Sequence, residues 1–315
     1  MHHRARAAGT DGSTEGGRVA DSGGTAGQRT LRLGGRSFGP QQRLVMAIVN
    51  RTPDSFYDRG ATWDTDAAME RVHAVVGEGA DIVDIGGVPA APGAEVTITE
   101  EIRRTVPFVA AVRAAYPDLV ISVDTWRHQT ARELCAAGAD LINDTWGGWD
   151  ERLPEVAAEH GAGLVCSHAG GLPPRTRPYR VEYDDVMADV LERTLAQADR
   201  AAALGVDPSR VLIDPAHDFG KNSWHSLEVT RRLGEMVAAG WPVLVSVSHK
   251  DFIGETLNAD RDQRLTGTLA ATAVCAWLGG RVFRAHQVTQ TRQVLDMVSA
   301  IRGDLAPARA VRGLA

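Results

Sequence analysis

Eight short apolar runs, each followed by a stretch of helical period, constrain this chain more than any other feature. The runs fall at Leu44–Val49, Asp81–Ile85, Leu119–Val123, Asp140–Ile142, Gly163–Cys166, Val211–Ile213, Pro242–Val247 and Arg281–Phe283. They are continuous and not alternating, which is how strands buried on both faces of a parallel sheet read. Helices are predicted over Thr65–Glu78, Glu100–Ala115, Arg127–Ala137, Glu151–His160, Asp184–Leu204, Ser226–Ala239, Arg261–Leu278 and Thr289–Ile301. Asp64 is placed to cap the first, and Thr97-Ile-Thr-Glu100 has the form of a capping box at the second. Several helices should stop at glycines such as Gly138, Gly161 and Gly279, since glycine accepts the left-handed turn that ends a helix.

Eight strand–helix units over about 260 residues predict an α/β fold, a single-domain (β/α)8 TIM barrel. The alternative is a doubly wound open sheet, which usually carries a glycine-rich fingerprint after its first strand. Asn50-Arg-Thr-Pro-Asp-Ser-Phe56 stands there instead, so the barrel is expected. Its span is 43–303. Residues 1–42, rich in Gly, Ser and Arg, are expected to be a flexible, disordered extension, and 304–315 a short tail.

Charge narrows the function classes. Residues 1–43 hold seven Arg against three acids, whereas 44–315 hold 27 bases against 37 acids. An acidic body argues against nucleic acid as the main partner. Apolar runs far shorter than about 20 residues argue against a membrane span, and no secretory signal is expected at the start. Three scattered cysteines, Cys135, Cys166 and Cys275, fit reduced thiols of a cytoplasmic protein and give no metal-ligand spacing. Of 34 basic residues only Lys221 and Lys250 are lysine. In so Arg-biased a chain, a retained lysine suggests a place where a compact ammonium is needed.

A barrel of this kind does its chemistry at the carboxyl ends of its strands. Those positions carry Asn50, Asp84, Asp124, Asn143, His168, Asp214, Ser248 with Lys250, and Arg284 with His286. Asp124, Asn143, Asp214 and Lys250 form a set of acceptors and donors suited to the edge of a flat nitrogen heterocycle. Asn50, Arg284 and His286 come from the first and last strands, neighbours once the barrel closes, and suit an anion, with Asn50 able to ligate Mg²⁺. Plainer roles stay open: Asp124 as a helix cap, Asn143 and Asp144 as turn formers. His168 and His217 read equally as orienting groups, and Trp126, Trp146 and Trp224 as packing.

At these residues the chain resembles the dihydropteroate synthase family. The matching segments are Met46-Ala-Ile-Val-Asn50, Gly79-Ala-Asp-Ile-Val-Asp-Ile-Gly-Gly87, Ile121-Ser-Val-Asp124-Thr125, Asn143-Asp144, Asp214-Pro215, Phe219-Gly-Lys221, Ser248-His-Lys250, Gly267-Thr-Leu-Ala-Ala271 and Arg284-Ala-His286. The resemblance implies transfer of a 6-hydroxymethyl-7,8-dihydropterin unit from its pyrophosphate to p-aminobenzoate in folate synthesis, with Mg²⁺. It implies that Asp124, Asn143, Asp214 and Lys250 hold the pterin and that Asn50, Arg284 and His286 hold pyrophosphate and metal. Lys250, Asn50, Arg284 and His286 would then be catalytic, with Asp84, Phe219, Lys221 and Ser248 as pocket neighbours. A homodimer through the last two helices is implied as well.

The departures lie on one side of the site. The family's Gly-Glu-Ser-Thr-Arg-Pro-Gly after the second strand is here Gly87-Val-Pro-Ala-Ala-Pro-Gly93, which removes two hydroxyls and a guanidinium. The usual Ser-Arg-Lys is Ser248-His-Lys250, and the usual His-Asp is His286-Gln287. This pattern resembles a divergent second copy of the synthase found in actinobacteria. Two alternatives follow: a pterin-binding paralogue without synthase activity, and a methyltetrahydrofolate-binding methyltransferase-like barrel. The open question for the altered loop is whether Arg51 or Arg59 replaces its lost charge.

Overall fold

The structure is a computed structural model that describes residues 29–51, 65–176 and 182–312. Two short strands come first, β1 (Leu31–Leu33) and β2 (Arg36–Phe38), paired antiparallel across Gly34 and Gly35. Eight strands follow: β3 (Leu44–Asn50), β4 (Ile82–Gly86), β5 (Val120–Asp124), β6 (Leu141–Asp144), β7 (Gly163–Ser167), β8 (Val211–Asp214), β9 (Leu244–Val245) and β10 (Val282–Ala285). They pair in parallel in the order β8-β7-β6-β5-β4-β3-β10-β9. A parallel bridge between Ile213 and Val243, with the Ile213 amide donating to Pro242 O at 3.0 Å, joins the ends. The expected barrel is the observed one.

Helices α1 (Thr65–Gly77), α2 (Ile98–Ala115), α3 (His128–Ala136), α4 (Leu153–His160) and α5 (Val186–Ala203) cover the first half of the ring. Thr97 caps α2 as expected, its hydroxyl accepting from the Glu100 amide at 3.2 Å. The single helix expected over Ser226–Ala239 is two, α6 (Ser223–Arg231) and α7 (Leu233–Ala238). α8 (Asp251–Leu257) was not expected; α9 (Leu265–Trp277) and α10 (Val288–Arg302) complete the cover. Asp64 lies outside the described residues.

Alternation along the strands sorts their side chains into two environments. Val45, Ala47, Val83, Ile85, Ile121, Val123, Ile142, Cys166, Ile213 and Phe283 face outward into the layer beneath the helices. Leu44, Met46, Ile82, Val120, Leu141, Val165, Leu212, Leu244 and Val282 belong to a separate apolar cluster inside the ring. One pleat further along come Asp84, Ser122, Asn143, Asp214 and Arg284. The barrel interior is thus apolar at its amino end and polar at its carboxyl end.

The β1–β2 hairpin corrects the expected boundary at residue 42. Leu31, Leu33 and Phe38 are fully or almost fully buried in the inner apolar cluster, so they plug the amino end of the barrel. Arg281 locks the plug: its guanidinium donates to Gln42 O, Arg29 O, Phe38 O and Gly39 O. The remainder of the expected extension, residues 1–28, lies outside the described residues. At the other end, Asp304 of the expected tail is tied to the barrel by Arg43 at 3.1 Å.

The plug generates a stability prediction. Leu33→Ala empties part of the barrel floor and is expected to cost about 2–4 kcal/mol, whereas Arg32→Ala, exposed on the same strand, should stay within about 0.5 kcal/mol. Urea unfolding of the two variants tests it; equal effects would show that the hairpin is not part of the core.

Candidate active site

Parallel pairing sets Asp84 beside Ser122, and Asp124 beside both Gly86 and Asn143. Each strand therefore delivers its last inward side chains to one small volume. Asp84 is its centre. Its carboxylate accepts from Ser122 Oγ at 2.6 Å, Asn143 Nδ2 at 3.2 Å and Arg284 Nε at 2.6 Å. The same guanidinium donates through Nη2 to Asp124 Oδ2 at 3.0 Å, and Thr145 Oγ1 donates to Asp124 Oδ1 at 3.2 Å.

Electrostatics follow from this burial. Burial pushes Asp124 up to about 7, against the opposing pull of Arg284. Asp214, whose Oδ1 accepts from the Ala216 amide at 2.6 Å, is raised by burial to about 6 although Lys250, Lys221 and Arg284 oppose the rise. Burial lowers Lys250 as well. Asn143 donates its amide nitrogen to Asp84, which turns its Oδ1 the other way. That oxygen is buried without a hydrogen-bond partner among the described residues. An orphaned buried acceptor costs about 1–3 kcal/mol unless something donates to it.

A second wall is aromatic. Lys250 Nζ lies 4.3 Å from the centroid of Phe219, which meets Trp146 edge-on at 5.0 Å; Trp126 meets Trp146 at 6.4 Å. Ala169 and Val88 complete this cluster. Nearby, Ser248 Oγ and His286 Nδ1 lie 2.9 Å apart, and Arg71 donates to His286 O at 2.6 Å. Burial, reinforced by Arg284, holds His286 well below its ordinary value, so its imidazole is neutral. His249, at φ 55°, meets the His286 ring edge-on at 5.6 Å and bonds Gln287 Oε1 at 2.9 Å.

The loop after β4, Gly87 to Gly93, is held by its main chain. Arg175 donates to Ala91 O at 3.1 and 3.0 Å and to Ala94 O at 2.7 Å, and Arg104 donates to Gly87 O at 3.1 Å. Arg51 packs beside α2, its Nε donating to Arg104 O at 3.4 Å. It is buried, stacks 4.8 Å from the Phe108 centroid and donates to Thr65 Oγ1 at 3.1 Å. Arg59 lies outside the described residues.

Residues 46–286 match the family described as pterin binding enzyme. The chain is 56% identical over 287 residues, 90% of each chain, to "Inactive dihydropteroate synthase 2" of Mycobacterium tuberculosis. It is 36% identical to the dihydropteroate synthase of Escherichia coli, covering 81% of this chain and 90% of that one. The chain belongs to the dihydropteroate synthase family. A family member of solved structure, that of Thermus thermophilus in complex with 4-aminobenzoate, superposes with a TM-score of 0.77 at 38% identity, over 87% of this chain and all of that one.

Against this family frame, Asp84, Asp124, Asn143 and Arg284 form one bonded network, Asp214 and Lys250 lie within its field, and Ser248 pairs with His286. Asp124 is no helix cap, because Arg127 occupies the cap position of α3. Asp144 is a turn former, accepting from the Trp146 and Gly148 amides, whereas Asn143 is not. Trp224 is 80% exposed and is not packing. His217 is buried against Phe252 and Thr230. Sequence reasoning missed Ser122 and Thr145; period-two counting back from Asp124 would have found Ser122.

The network should fail as a unit. Asp84→Ala leaves a buried guanidinium with one carboxylate and is expected to destabilise the fold by about 3–5 kcal/mol, measured by chemical denaturation. A loss below about 1 kcal/mol would remove Asp84 from the centre of the site.

Proposed function

We propose that this barrel binds a pterin at the carboxyl ends of its strands and performs the dihydropteroate synthase reaction weakly. The observation that carries this is the orphaned Asn143 Oδ1, set among two buried carboxylates and an ammonium. A pterin edge presents an amino group, a ring N–H and a carbonyl side by side. Asp124, Asp214 and Asn143 Oδ1 would accept from the first two kinds of group, and Lys250 would donate to the third.

In the reaction, the bond between the pterin methylene and pyrophosphate breaks, with its electron pair leaving on pyrophosphate. The arylamine then forms the new carbon–nitrogen bond and loses a proton. Arg284, with Asn50 and His286, would meet the leaving charge. Asn50 Oδ1 lies 3.7 Å from where a Cβ on Gly86 would stand. Among the described residues no three His, Cys, Asp or Glu side chains are grouped to hold a metal, and Asp84 and Asp124 are paired with Arg284. Asn50 is the residue that would hold Mg²⁺, with its side-chain oxygen as a hard ligand beside the pyrophosphate. When bound, Mg²⁺ would withdraw charge from the leaving group.

The altered loop supports low turnover. It presents Val88, Pro89, Ala90 and Ala91 where the family carries hydroxyls and a guanidinium, and Arg51 stacks on Phe108. Each hydrogen bond to a charged group is worth about 1.5–3 kcal/mol, so two lost bonds imply roughly a hundredfold or greater loss of kcat/KM against a synthase with the usual loop. The same observation favours the second reading, a pterin binder without synthase activity. Incorporation of labelled p-aminobenzoate, with Lys250→Ala as background, separates the two: turnover above that background supports a weak synthase.

Two further outcomes are expected. Affinity for a 2-amino-4-oxopteridine should be flat above about pH 7 and fall below it as Asp124 takes up its proton, then more steeply below about 6 as Asp214 follows. Titration calorimetry from pH 5 to 8.5 reads this, and pH-independent binding would contradict the carboxylate contacts. For a homodimer through the last two helices, the support is an outer face of α9 and α10 that exposes Val274, Trp277, Met297 and Ile301. Trp277→Glu should therefore halve the mass seen by light scattering without loss of helicity.

A further inference from the structure

Lys221 is one of the two lysines in the whole chain. It is 2% exposed, and burial lowers its amino group to about 7 although Asp214, Asp189 and Asp218 oppose the fall. Four acceptors surround its three protons, so one proton is shared: His168 Nδ1 at 2.6 Å, His168 O at 3.0 Å, Phe219 O at 3.1 Å and Ala216 O at 3.3 Å. The His168 ring is oriented from its far side, where Nε2 meets Asp189 Oδ1 at 2.6 Å. An Nε2–H bonded to the carboxylate leaves Nδ1 as an acceptor, the form an ammonium requires.

The loop so held is strained. Ala216 and Asp218 are non-glycine residues at φ 49° and 67°, and Gly220 sits at φ 59°. Such residues cost about 1 kcal/mol or more each unless their surroundings fix them. A Cβ on Gly220 would lie 2.5 Å from Ala169 O, so the loop also rides tightly on the segment after β7. The Tyr183 hydroxyl adds a bond to Gly220 O at 2.6 Å. What the loop presents at its crest is Phe219, the ring under Lys250 and against Trp146.

We infer that Lys221 is a positioning residue: its ammonium ties the loops after β7 and β8 together and so fixes Phe219 as the platform beneath Lys250. The link runs from Asp189 through His168 to Lys221 and ends on the carbonyl of Phe219. For its ligand, this inference rests on the pterin reading above; for its geometry it does not.

The test uses the full chain and two readouts. Amide hydrogen exchange at Phe219, whose N–H donates to Ala216 O at 3.1 Å, reports the loop. Calorimetry with 6-hydroxymethylpterin reports the platform. In Lys221→Met, which keeps the stem and removes the ammonium, exchange at Phe219 should rise at least tenfold while β3 to β6 stay protected, and pterin affinity should fall at least tenfold. In Lys221→Ala, added n-propylammonium should restore part of both. Asp189→Ala is the second variant, since Asp189 bonds His168 and Arg193 but not the loop after β8. It should raise Phe219 exchange about threefold through the link alone, and it decides the matter if the Lys221 variants do not fold.

Phe219 exchange within twofold of wild type in Lys221→Met, or in Asp189→Ala should the former unfold, overturns the clamp. If the wild-type chain does not bind the pterin, the functional reading falls while the exchange data still judge the clamp.

Discussion

Two carboxylates, Asp84 and Asp124, share the guanidinium of Arg284 inside a ring of strands, and the rest of the site is arranged around that sharing. Charges in such a place are tolerated only when each is paired and its remaining lone pairs are bonded. Asp84 meets the condition completely, through Ser122, Asn143 and Arg284. Asp124 meets it partly, with Thr145 and one arm of Arg284, and burial raises its affinity for a proton. Asp84 and Asp124 therefore share one guanidinium, beside an amide oxygen, Asn143 Oδ1, with no donor among the described residues. A ligand edge rich in N–H groups supplies what that arrangement lacks.

The floor under the network is as necessary as the network. Leu31, Leu33 and Phe38 close the amino end of the ring, so water reaches the charges from the mouth. Low local polarity is what strengthens the pairing of Arg284 and shifts Asp124 and Asp214 together. In this sense a hairpin of six strand residues, remote from any chemistry, helps to set the ionisation of the site.

The barrel was legible because its strands are uninterrupted β-branched and aliphatic runs, and the site because polar residues end those runs at a fixed phase. The hairpin was not legible. Leu31-Arg-Leu33 and Arg36-Ser-Phe38 put only three apolar side chains among arginines and glycines, which locally looks like a solvated lead-in. Ser122 escaped notice because a small hydroxyl within an apolar run carries no periodic signal of its own. The direction of Arg51 was equally hidden. A guanidinium beside a proline-containing loop suits an anion on paper, and only packing on Phe108 and α2 shows where it goes.

Arginine and lysine have separated into different roles in this chain. Arg175 and Arg104 spend their donors on main-chain carbonyls of the loop after β4, Arg281 on those around the hairpin, and Arg284 on two carboxylates at once. A planar fork suits all four tasks, because each presents two or more acceptors at fixed spacing. Both lysines converge on one residue: Lys250 places its ammonium over the ring of Phe219, and Lys221 holds that residue's carbonyl from below. The Lys221 position does not suit a guanidinium, since it demands a tripod of donors in a closed cage. The two lysines of the chain thus meet at one residue, one at its ring and one at its carbonyl.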